Sequence, residues 1–223
     1  MADIDIPDAA LASNNSQRLP CVLVLDGSTS MEGPPINELN AGLKLLEDEL
    51  KQDDIASQRV QLLVIRFGDN GKVEVLSDWK DAMDFSAPYI EANGNTPLGQ
   101  AVVLAMAKIE EQKQRYRTNA IPYNRPWLFL ITDGEPTDSW EQAATQCRNE
   151  EQSGKLVFFG IGVGSANMEI LGRFSTRKPM LLQGLKFREL FVWLSQSSKT
   201  ASKAAQGTNV QLAPPSDWAQ VPA

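Results

Sequence analysis

Near-continuous apolar runs at 21–25, 127–131 and 156–163 alternate with segments whose apolar residues recur every three or four positions. A run with no polar alternation is covered on both faces, as the central strands of a parallel sheet are. Runs at 60–67, 73–76 and 179–182 read as further strands. The link GDNGK between 67 and 73 reads as a tight hairpin turn, which makes its flanking strands antiparallel. Ile36, Leu39, Leu43, Leu46 and Leu50 mark one helical stripe, and Leu98, Ala101, Val102, Ala105 and Ile109 mark another. These stripes are core faces. Thr96-Pro97 fits a helix N-cap followed by proline in the first turn. Further helices are expected near 139–152, 166–174 and 186–198. The alternation implies an α/β layer fold with right-handed crossovers, in which ligands bind beyond the carboxyl ends of the strands.

Composition narrows the function. The chain has 223 residues and a net charge of −7, with no dense cluster of Lys and Arg, so a surface that tracks nucleic-acid phosphates is not expected. It contains no histidine, which excludes Ser-His-Asp and Cys-His catalysis within the chain and any His-ligated zinc. A metal here would be held by oxygen. Cys21 and Cys147 are far apart and form no CxxC pair; Cys21 opens an apolar run and reads as a small buried hydrophobe, in a reduced, cytoplasmic protein. The polar start, 1–17, has no apolar signal-like run, and no segment reaches membrane-spanning length. A body at 18–198 is expected to be followed by a flexible or loosely docked tail, 199–223, with Trp218 as its anchor.

Three loops fall on the ligand edge. LDGSTSMEG places Asp26, Ser28 and Ser30 after the first strand; GNTPLG, at 94–99, carries Thr96; TDGEPTD, at 132–138, carries Asp133 after WLFLI. Each loop alone reads as a turn or a helix cap. Together they offer two carboxylates and three hydroxyls, an all-oxygen set suited to a hard divalent cation. Glu135 and Asp138 read as flanking residues that shape partner contacts or stay solvated, and Met31 as packing beneath the loop. The glycines of FFGIGVGSAN lack G-x-G-x-x-G spacing and read as close strand packing.

Asp-x-Ser-x-Ser, a downstream Thr, and Asp-Gly after an apolar strand resemble the metal-ion-dependent adhesion site (MIDAS) of von Willebrand factor A (VWA) domains. The resemblance covers about residues 18–198, and its wording is most similar to the bacterial tellurium-resistance-associated VWA proteins, the TerY-like group. Gly27 and Thr29 exchange the small and hydroxyl residues usual between the motif's fixed positions, and neither is an expected ligand. The resemblance implies the doubly wound, Rossmann-like VWA fold: a mostly parallel sheet of about six strands, one antiparallel edge strand, and helices on both faces. It implies that Ser28, Ser30 and Thr96 coordinate Mg²⁺ (or Mn²⁺ or Ca²⁺) or its waters, with Asp26 and Asp133 bonded mainly through waters. Without the ion these carboxylates would repel, a condition that raises proton affinity.

By the same resemblance the chain is a non-catalytic interaction module. A partner protein's Asp or Glu would complete the metal shell, in a tellurite or stress-response assembly or with a Ser/Thr kinase and phosphatase. Two other readings stand beside it. One is metal-assisted phosphoester hydrolysis, for which Glu135 or Asp138 would have to serve as general base. The other makes the hydroxyl-rich segment SQSSKTASK, 195–203, an exposed phosphorylation target.

Overall fold

The computed structural model describes residues 14–205, 207–208, 210–215 and 218–220. The strands are β1 (Leu19–Gly27), β2 (Val60–Gly68), β3 (Lys72–Asp81), β4 (Trp127–Thr132), β5 (Val157–Gly162), β6 (Met180–Leu182) and β7 (Ala219–Gln220). The helices are α1 (Pro34–Lys51), α2 (Ala56–Arg59), α3 (Leu98–Thr118), α4 (Glu141–Gln152), α5 (Met168–Arg173) and α6 (Phe187–Lys203). The described strands form one sheet in the order β3-β2-β1-β4-β5-β6-β7.

Pairing is parallel from β2 through β6, and the GDNGK link makes β2–β3 antiparallel, as expected. The β2–β3 register slips between Leu62 and Val64 and again between Val64 and Ile65. The short β7 pairs antiparallel with β6, adding a strand at the far edge that no apolar run announces. Trp218, beside it, is buried against Trp193 with ring centroids 5.3 Å apart. Of the polar extension expected at 1–17, residues 1–13 lie outside the described residues.

The two-residue period of a strand sorts β1 between two cores. Leu19, Cys21, Leu23 and Leu25 pack with the stripes of α1 and α6. Val22 and Val24 face the other way, toward α3 and α4. α1 and α6 approach so closely that a Cβ on Gly42 would lie 2.3 Å from the Phe191 ring. That contact accounts for a glycine in mid-helix, where its backbone freedom ordinarily costs roughly 0.5–1 kcal/mol relative to alanine.

Among the described residues no helix is long and apolar enough to cross a membrane. The segment 195–203 is not the exposed, hydroxyl-rich stretch expected. It completes α6 and buries Ser195, Ser197, Ser198 and Ser202, leaving Thr200 as its exposed hydroxyl. Serine is small enough for a helix to turn it against the sheet, and the burial removes most of the proposed phosphate acceptors from solvent.

The loop after β3 is fastened to α1 by side chains. Asn40 accepts from the Ile90 amide and donates to its carbonyl, at 2.8 and 2.9 Å. Glu47 accepts the Ala87 amide at 3.0 Å and meets Lys51 and Lys44 at 2.8 and 2.9 Å. Burial works against the Glu47 charge, yet these donors together hold its pKa down at about 2, from 4.5. A depressed carboxylate stabilises the fold above its unfolded pKa, and that contribution is lost as pH falls from 4.5 towards 2. Lys44 lies largely in solvent, which limits the effect. Glu47→Gln is expected to cost roughly 1 kcal/mol at neutral pH and to flatten the acid limb of the stability profile, measured by urea unfolding across pH.

Candidate functional site

β1 lies between β2 and β4, so the chain leaves its carboxyl end in one direction and returns on the other side. The crevice at such a reversal is where doubly wound sheets bind ligands. Asp26 stands there, fully buried at the end of β1. Its Oδ1 accepts the Ser28 amide at 2.8 Å, and its Oδ2 accepts the Thr132 hydroxyl from the end of β4. Burial pushes its pKa up to about 6; the Ser28 and Thr132 hydrogen bonds oppose that rise, and the Asp133 charge adds to it.

The hydroxyls continue from this carboxylate in a row. Ser28 Oγ lies 3.0 Å from Ser30 Oγ, and Ser30 Oγ donates to Asp133 Oδ1 at 2.6 Å. Thr96 meets the row at Gly134. A Cβ on that glycine would lie 3.2 Å from Thr96 Oγ1 and 3.6 Å from Ser30 Oγ. All five residues singled out in the sequence therefore gather at one edge, with Gly134 leaving the space between two hydroxyls clear. Met31 is buried below.

Backbone bonds hold the loops in register. The Asn93 amide donates to Gly27 O at 2.8 Å, and the Thr29 amide donates to Gly94 O at 3.0 Å. The Asn93 side chain accepts from Arg66, which also pairs with Glu74, at 3.1 and 2.9 Å. The third loop is joined to the second through Thr96, whose amide donates to Thr137 Oγ1 and whose carbonyl accepts the Thr137 amide, at 3.1 and 2.9 Å.

Two capping expectations change. α3 begins at Leu98 after Pro97, and no side chain at that N-cap bonds the helix. The Asp138 carboxylate takes the role instead, accepting the Gly99 and Gln100 amides at 3.0 and 2.9 Å. This leaves the Thr96 hydroxyl to the Gly134 space. It also makes Asp138 a brace between two loops rather than a solvated flanking residue. Nor do Ser28, Thr29 and Ser30 cap α1, which opens on Gly33 and Pro34. Thr132 is a site residue that the sequence signals only by a lone hydroxyl closing WLFLI just before Asp133.

Chemically, the edge offers three neutral hydroxyls and two carboxylates, with Asp26 kept from water. This donor set fits a hard cation and not a soft one. Among the described residues no group of three or more His, Cys, Asp or Glu gathers as a metal site, so hydroxyls make up the difference.

A family model described as von Willebrand factor type A domain matches residues 21–189. The chain is 25% identical over 169 residues to the uncharacterized protein sll0103 of Synechocystis sp., a match covering 73% of this chain and 37% of that one. It is similar in fold to proximal thread matrix protein 1 from the mussel byssus, solved with a zinc-occupied MIDAS motif. That match has 17% identity and a TM-score of 0.58 over 85% of this chain and 47% of that one. A second fold match is the manganese-loaded TRAP protein of Plasmodium vivax, at 16% identity and TM-score 0.51, covering 82% and 74%. The chain thus spans about half or less of the Synechocystis and mussel proteins.

Because Asp138 satisfies two amides at the start of α3, Asp138→Ala is expected to destabilise the fold by about 1 kcal/mol, the usual cost of losing a helix cap. Thermal unfolding would measure this, and Asp138→Asn should recover part of the loss.

Proposed function

The chain belongs to the von Willebrand factor type A domain family, and on that premise we propose that Asp26, Ser28, Ser30, Thr96 and Asp133 form a metal-ion-dependent adhesion site. VWA domains commonly mediate metal-dependent protein interaction. The observation that carries the proposal is the continuous row Asp26–Ser28–Ser30–Asp133, with Thr96 and Ser30 both bordering the space at Gly134. Ser28, Ser30 and Thr96 would hold the ion directly, and Asp26 and Asp133 would orient its waters. Mg²⁺ is the expected resident, with Mn²⁺ or Ca²⁺ as substitutes. When bound, the ion supplies a Lewis-acidic position for an anionic oxygen, one that neutral hydroxyl ligands leave only partly neutralised. A partner protein's Asp or Glu would fill that position.

We take the module to be non-catalytic. Asp138 is committed to two backbone amides, and exposed Glu135 accepts from Asn167 at 3.1 Å, so the two carboxylates that a hydrolase would need as a base are engaged elsewhere. Cys21 and Cys147 are buried and unpaired, which suits work in the cytoplasm. The resemblance to the TerY-like group favours a partner in a tellurite or stress-response assembly, or in a Ser/Thr kinase and phosphatase system.

Mn²⁺ itself is the probe for the first step. Calorimetry or Mn²⁺ electron paramagnetic resonance is expected to show one site per chain. Ser30→Ala and Thr96→Ala should each weaken it about tenfold, comparable with losing one hydrogen-bonding or ligand group. Their melting temperatures in EDTA should stay close to that of the parent. Mn²⁺ affinity indifferent to both substitutions would sink the assignment.

A further inference from the structure

A wide cavity lies away from this site. It has a volume of about 760 Å³ and opens at the amino ends of the parallel strands, where Leu19, Trp127, Val157 and Met180 begin β1, β4, β5 and β6. Asp26 and Asp133 stand at the opposite edge of the same sheet. The volume falls within the roughly 300–1,000 Å³ of small-molecule pockets.

Its charge is unlike that of the rest of the chain. Lys113, Arg117, Arg125, Lys155, Arg177 and Lys178 line it, and no Asp or Glu does so among the described residues. Six of the 21 Lys and Arg thus meet at one concavity in a chain of net charge −7. They arrive from separate segments: the end of α3 and the connections entering β4, β5 and β6. Glutamates outside the lining pair with several of them. Glu110 pairs with Lys113 and Arg117 at 2.6 and 3.1 Å, Glu150 with Lys155 at 2.8 Å, and Glu151 with Arg177 at 3.2 Å. A single cation at a helix end is an ordinary solvated charge. Six cations against three paired glutamates leave a positive excess around a concave space, an arrangement suited to an anion.

The floor is aromatic. Trp127, Phe159 and Trp193 are buried there, with Trp127 and Trp193 edge-on to the Phe159 ring at 5.5 and 5.8 Å. The Arg177 guanidinium stands 5.8 Å from the centre of the same ring. Val210, Leu212 and Pro214 from the tail close one wall, and Trp193 Nε1 donates to Ala213 O at 2.8 Å to fix them. Flat apolar surface beside clustered cations matches one kind of molecule.

We propose that this cavity is a second ligand site, for a small organic anion that carries a phosphate or carboxylate head on an aromatic body. The Trp127–Phe159–Trp193 floor accepts the body. Arg125 and Lys155, exposed at the rim, would meet the head, with Arg supplying the forked donors that suit planar or phosphate oxygens. The site is independent of the metal at the other edge.

The probe is 8-anilinonaphthalene-1-sulfonate, an aromatic anion, read by its own fluorescence and by quenching of tryptophan emission. Saturable one-to-one binding is expected in EDTA, and it should be unchanged in Asp26→Ala. Affinity should fall about tenfold in the double variant Arg125→Ala, Lys155→Ala, whose exposed side chains leave the core intact, and also on raising salt from about 50 to about 500 mM. Displacement by ATP at concentrations where inorganic phosphate fails would assign both head and body. Absence of saturable binding would overturn the proposal. So would binding indifferent to salt and to the double variant, which would indicate apolar adsorption only. Displacement by phosphate and ATP alike would overturn the aromatic half of the assignment.

Discussion

Asp26 is bonded on one side to the amide of its own loop and on the other to the Thr132 hydroxyl at the end of the neighbouring strand. A carboxylate in that position, cut off from water, is costly unless both oxygens are met. Meeting them forces β1 and β4 to end side by side at the same height. Ser28 and Ser30 then lie above one strand and Asp133 above the other, and the Ser30–Asp133 bond spans the gap. Everything the edge can do depends on that local register.

Much of this was legible because fully buried parallel strands leave long apolar runs and amphipathic helices leave regular stripes. The runs at 21–25, 127–131 and 156–163 became the three central strands β1, β4 and β5, and the Asp and Ser residues that followed them stood on the ligand edge. What escaped notice acts across distance in sequence or without pattern. Asp138 caps a helix that begins forty residues earlier. β7 is two residues long and is held by edge pairing and a buried tryptophan, so no periodicity could announce it. The serines of 195–203 differ for the opposite reason: their polarity suggests solvent, while their small size lets α6 turn Ser195, Ser197, Ser198 and Ser202 inward and bury them.

The two ends of the sheet divide the chemistry between them. The carboxyl ends present acidic and hydroxyl oxygens held by short loops. The amino ends present cations above an aromatic floor, closed by a tail that returns to pair with β6. Both arrangements follow from one topology, because a parallel sheet gathers its connections into two rims of opposite strand polarity. A chain of net charge −7 can thus hold a basic pocket without becoming basic overall.

The slipped register of β2 against β3 has a consequence beyond the domain itself. β3 is ten residues long and, among the described residues, stands at the rim of the sheet with one side unpaired, which is a template for uncontrolled growth when a strand is flat and regular. Two irregularities within a few residues break the regular ladder behind this one, and Lys72, Glu74, Asp78 and Lys80 set charges along it. Among the described residues the opposite rim, β7, is two residues long. Irregular pairing and charge are the devices by which sheet rims discourage edge-to-edge growth, and this rim carries both.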